Sequence, residues 1–186
     1  MRRNAVKKLL TTAAVVGLVG LGQRALAVNN SNPVDVEVYA QINSGLQITV
    51  TTATSYDFGT VAGGSVSVST TTFDIQNSGS GLTQTYQVKG NNSTSGNWTL
   101  AAAPGANAFS LDAQFNNPSA PGSWTASHRL TTAYQQANGV IFAGNQTGVS
   151  TVTGQVQSLW TRFSAPTSST FSTRQRVQLD INAVTP

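Results

Sequence analysis

Apolar and polar residues alternate singly through much of this chain, most cleanly near its start. Val34, Val36, Val38, Ala40 and Ile42 take every second position, with Asp35, Glu37, Tyr39 and Gln41 between them. A period of two belongs to a strand with one dry and one wet face. Asn43-Ser44-Gly45 reads as a turn, after which Leu46, Ile48 and Val50 resume the alternation. Tyr56-Asp57-Phe58-Gly59 then sets two aromatics on one face beside a glycine that permits an unusual backbone angle.

The same reading carries to the end. Strands are predicted around Val66–Val68, Thr70–Gln76, Leu82–Lys89, Trp98–Leu100, Phe109–Phe115, Val149–Thr153, Gln155–Phe163 and Val177–Ala183. Val140-Ile141-Phe142 is a short apolar run. Residues 124–137 have no clear period and are expected to form an irregular excursion with one short strand around Arg129-Leu130-Thr131. Clusters of Gly, Asn, Ser and Pro punctuate the strands, and no segment has a helical period over more than a turn or two. About ten short strands spaced this way predict an all-β, antiparallel sandwich of Ig-like or pilin-like topology.

The first 27 residues follow another logic. Arg2, Arg3, Lys7 and Lys8 precede the apolar Leu9–Leu21, and Ala25-Leu26-Ala27 supplies small residues for cleavage. This is the pattern of a secretory signal peptide, so the mature chain is expected to begin near Val28 and to form one domain over 28–186. The apolar run lies before the cleavage site, unlike a type IV pilin leader, and no Cys follows for a lipid anchor. Neither a C-terminal sorting signal nor a terminal apolar helix is expected to hold the protein to a surface. The expected destination is extracellular or cell-surface, with the periplasm as the other compartment reached by such a leader.

Cleavage changes the charge. Five of the ten basic residues leave with the leader, and five face six acids in the remainder, a formal balance of −1. The basic character of the whole chain therefore argues for no nucleic-acid partner, and the mature part has no expected membrane span. There is no Cys, so the sandwich must be stable without disulfides.

Chemistry is sparse. His128 is the only histidine, in Ser127-His128-Arg129, and no G-x-S-x-G surrounds any serine. A zinc site lacks ligands. Asp112 with Asn116 and Asn117 is the nearest approach to a calcium loop and falls short of its acidic density. The six acids are scattered, which is a poor start for paired-carboxylate glycoside hydrolysis. No catalytic residue, metal or cofactor is expected. Aromatics are the better binding signal. Trp98 alternates with Leu100 and reads as core. Trp160 is out of phase with Leu159 and Phe163, so it is either exposed or covered by another element; Trp124 adjoins a Pro/Gly loop. Trp124 and Trp160 are the candidates for stacking on a sugar ring, against packing in the core or under a loop.

Two stretches carry a resemblance. VDVEVYAQI, then LQITV, then YDFGTVAGGS with alternating Val and Thr after it, resembles spore-coat-U-like and chaperone–usher pilin-type subunits over Val34–Gln76. SLWTRFSAPTSSTFSTRQRVQLDINA, Ser158–Ala183, is similar to the closing strands of Ig-like modules in bacterial surface proteins. The first resemblance implies assembly by strand exchange, in which Val34, Val36, Val38, Ala40 and Ile42 of one subunit complete the sheet of the next. The plain alternative is that they form the first strand of their own domain. The expected role is a secreted, non-catalytic structural protein of the bacterial cell surface that self-associates or meets other surface proteins. The alternative is a carbohydrate-binding or adhesion module with a glycan partner.

Overall fold

The computed structural model describes residues 33–41 and 45–186. The expected leader, and Ile42 with the Asn43-Ser44 turn, lie outside the described residues. Twelve strands run in chain order among them. They are β1 (Pro33–Gln41), β2 (Ile48–Val50), β3 (Ser55–Thr60), β4 (Val66–Val68), β5 (Phe73–Asn77), β6 (Gln84–Gly90), β7 (Thr99–Leu100), β8 (Ala108–Phe115), β9 (Gln135–Gln136), β10 (Val149–Ser150), β11 (Val156–Ser164) and β12 (Gln175–Val184). Sheet 1 has the order β10-β6-β12-β1-β3, with β9 also on β6. Sheet 2 has the order β2-β5-β11-β8-β7, with β4 also on β11. The two sheets pack together as a β-sandwich.

The alternation explains the core. Val34, Val36 and Val38 of β1, Tyr86 and Val88 of β6, and Val177, Leu179 and Ile181 of β12 turn inward from sheet 1. Ile75, Phe109, Leu111, Phe115, Leu159 and Phe163 meet them from sheet 2. Four rings converge: Phe58, Trp98 and Phe109 lie 5.6, 6.2 and 5.7 Å from Phe163, centroid to centroid. Tyr56 and Phe58 meet edge to face at 4.8 Å. Trp98 is core, as its phase implies, and its indole N–H donates to Ser169 Oγ at 2.9 Å.

Three features differ from the simple pattern. Most neighbours are antiparallel, but β1 runs parallel to β12, from Val34 opposite Gln175 to Gln41 opposite Asn182, and β7 runs parallel to β8. No hairpin joins β1 to β12; nearly the whole domain separates them, so nothing forces them to oppose. Leu82 lies outside the strand predicted to begin there and is exposed. The short apolar run Val140-Ile141-Phe142 forms a turn. Asn138 Oδ1 accepts from the N–H groups of Val140 and Ile141, leaving Val140 67 % exposed and swinging Phe142 into the core at φ +57°.

The outer faces are unlike. In sheet 1, β12 alternates buried and half-buried residues along its whole length. In sheet 2, β8 and most of β11 are buried on both faces. The excursion predicted from residues 124–137 is the cause: its first part folds back over sheet 2, bridging Arg129 to Asp112, before its end pairs with β6 of sheet 1, and Ala143 bridges to Phe115.

The fold predicts an alkaline weakness. Tyr86 is fully buried, and no hydrogen bond of standard geometry reaches its hydroxyl; Ser150 Oγ, across the strand pair, donates instead to Val152 O at 3.2 Å. Burial pushes the phenol up to about 12 from 10.0. Between those values the unfolded chain loses this proton and the folded chain keeps it, so stability falls as pH rises through the window. The expected loss is about 2–3 kcal/mol. Denaturant melts from pH 9 to 12 should show this fall, and Tyr86→Phe should remove most of it.

Candidate functional site

The segment expected to exchange is buried inside its own sheet. Val34, Val36 and Val38 point into the core between β12 and β3, and β1 bonds to both neighbours. Ala40 is exposed at the strand's end, and Ile42 lies outside the described residues. The outer face of β1 is held by ion pairs. Arg174 bridges Asp35 at 2.5 Å and Asp57 at 2.8 Å, while Arg176 meets Glu37 at 3.0 Å. Burial raises the Asp35 carboxyl above its usual range, and Arg174 opposes that shift. Asp57 also accepts from the N–H of Gly59 at 2.7 Å, closing a turn in which Gly59 sits at φ +70°. The Tyr-Asp-Phe-Gly run thus has a local physical reason: two core-facing rings, a clasp to Arg174, and a glycine that can take the left-handed angle.

A second cluster lies where the excursion covers sheet 2. Asp112 is fully buried and opposes Arg162 across β8 and β11. Arg162 reaches its Oδ2 at 2.6 Å, and Arg129 bonds its Oδ1. Trp124, half-buried, lies 5.2 Å over the Arg162 guanidinium and meets the His128 ring edge-on at 6.0 Å. This is a cation–π contact within a packed cluster. His128 ends a 3₁₀ turn, Ala126–His128. The Thr125 N–H donates to its Nδ1 at 3.1 Å, so the ring proton is on Nε2, which donates to Ala143 O at 3.1 Å. Both ring nitrogens are therefore engaged with backbone. Burial pulls the His128 pKa below its ordinary value; Ala143 O and the Asp112 charge oppose this, and Arg162 adds to it.

Trp160 corrects an expectation. It is only 6 % exposed, because the chain at Asn116–Pro118 crosses over it and Asn116 O accepts its indole N–H at 2.9 Å. It still forms one wall of an open hollow of about 400 Å³ with Thr52, Ala53, Thr70, Thr71, Thr72 and Pro118. Trp124 and Trp160 are not brought together at that hollow. Asp112 is taken up by its two arginines, while Asn116 and Asn117 bond Asn145, Ser119 and Ser158. No group of three or more His, Cys, Asp or Glu that could hold a metal occurs among the described residues.

One cleft escaped the pattern of hydrophobic and polar positions. On the wet face of sheet 1, Tyr39, Ala40, Tyr134, Gln178 and Asp180 line an open space of about 360 Å³. The signal for it was a large aromatic, Tyr39, at a polar position of β1.

No protein-family model matches this chain, and no curated protein matches it. No helix among the described residues is long and apolar enough to cross a membrane.

Two outcomes follow from the covered face. Asp112→Ala leaves two guanidiniums without their anion, with an expected cost of about 3 kcal/mol in chemical denaturation. On the acid side, the unfolded chain takes up a proton at a histidine that the folded chain keeps neutral, so stability falls as pH drops below 6.5. Thermal melts at pH 7.5, 6.5 and 5.5 should show that slope, and His128→Gln should flatten it.

Proposed function

We propose that this chain is an exported, non-catalytic structural protein of the bacterial cell surface, a subunit of a filament or layer assembled through strand pairing. The observation that supports it best is the position of β1. It lies between two neighbours in sheet 1, yet it is the first strand of the sandwich and is linked to the other eleven only through residues 42–47. Such a strand can be replaced by the same strand of another copy with every contact retained. Charge supports the reading. All five basic side chains among the described residues are ion-paired, as are five of the six acids, and Asp74 accepts from Thr72 at 2.8 Å. Neighbouring copies would meet with little net repulsion. The engagement of both His128 nitrogens supports a non-catalytic role, and the leader pattern supports export.

A specific observation favours the alternative, a carbohydrate-binding or adhesion module: both outer faces carry open hollows with aromatic walls.

Light scattering with negative-stain microscopy on the exported protein, beside a form beginning at Asn43, tests assembly. Expected are polymers of the longer form, none of the shorter, and recovery of folded shorter form by a peptide of residues 33–41. A longer form that stays monomeric at all concentrations overturns the strand-pairing role.

A further inference from the structure

The Tyr39–Tyr134 cleft is lined by two strands and one loop, with β6 alongside. Tyr39 of β1 stands opposite Asp180 of β12, and Asp180 stands opposite Lys89 of β6. Tyr134 comes from the turn before β9, which pairs with β6. Gln178 completes the floor, two residues before Asp180 on the same side of β12.

Both rings are anchored. The Tyr39 hydroxyl donates to Glu37 Oε2 at 2.8 Å, and Glu37 is itself held by Arg176. Lys89 Nζ lies 4.8 Å from the centre of the Tyr134 ring while pairing with Asp180 at 3.1 Å. Tyr39 keeps 45 % of its surface exposed. Two held aromatic side chains lining one cleft are preorganised for a flat ligand, which then loses less in ordering the site.

The chemistry narrows the ligand. Glu37 with Arg176 and Asp180 with Lys89 cancel, so the cleft selects for neither anion nor cation. A wholly apolar ligand would cover the Asp180 carboxylate and the Gln178 amide without offering hydrogen bonds. A sugar ring satisfies both demands. Its C–H face lies on an aromatic ring, and its hydroxyls can donate to Asp180 and exchange hydrogen bonds with Gln178. The volume, about 360 Å³, is at the small end of ligand sites.

We propose that this cleft binds a neutral pyranose unit of a surface or extracellular glycan, with Tyr39 and Tyr134 as stacking walls and Gln178 and Asp180 as hydroxyl partners. It rests on the adhesion reading and does not require assembly.

The test is a titration of the exported protein, followed by ¹⁵N–¹H NMR, with neutral hexasaccharides of β-1,4-glucose, α-1,4-glucose and β-1,4-N-acetylglucosamine. Expected are shifts centred on residues 39, 134, 178 and 180, and affinity lowered about tenfold by Tyr134→Ala with the melting temperature unchanged. Tyr134 is outside β1, so that variant should assemble like the parent. Absence of shifts with all three sugars at millimolar concentration overturns the proposal. Shifts confined to the Trp160 hollow and indifferent to Tyr134→Ala also overturn it, while leaving the adhesion reading in place.

Discussion

The sandwich closes on Phe163. Phe58 reaches it from the edge strand of sheet 1, Phe109 from the neighbouring strand of sheet 2, and Trp98 from the loop before β7. A chain with no disulfide must hold two sheets together by burial and packing alone. Aromatic rings do this with few residues, since each covers a large apolar area and meets its neighbours at defined angles. The edge strand β3, which carries few other core residues, is fixed through Phe58 and through the Asp57–Arg174 clasp on its other face.

The outer faces meet opposite requirements. Sheet 2 is roofed by the excursion, so polar groups on β8 and β11 are cut off from water and need partners. Asp112 has two arginines, and Gln114 donates to Ala143 O at 2.9 Å. Among the described residues, no segment roofs β1 and β12 of sheet 1. Its charges pair along the outer face, partly open to water except for Asp35, a buried carboxylate held by Arg174. The same openness leaves room for a cleft with polar walls.

The period of two was enough to locate most long strands and their dry faces, because burial on one face of a sheet acts on every second residue. β1, β5, β8, β11 and β12 were legible for that reason. The excursion could be recognised as irregular, but where it would fold was not legible, since no local period encodes which face a loop will cover. The loop after β8 is as silent: Trp160 read as a candidate for exposure, while Asn116–Pro118 covers it. Val140-Ile141-Phe142 was legible only as an apolar run, because composition is visible in sequence and the Asn138 side chain's hold on the turn is not. The Tyr39 cleft needed the parallel register of β1 and β12, and Tyr134 from a distant turn, neither of which has a local signature.

The parallel pairing also has a mechanical meaning. β1 begins beside the start of β12 and ends near its finish, with eight registered residue pairs between. At about 3.3 Å per residue, the nine-residue strand β1 spans roughly 30 Å. A pull on Pro33 directed away from Val184 runs along the strands rather than across them. It loads the hydrogen bonds of the seam together, in shear. A hairpin pulled from its open end would instead unzip, its bonds breaking in succession. The two strands that such a pull reaches first are therefore joined in the geometry that resists it best.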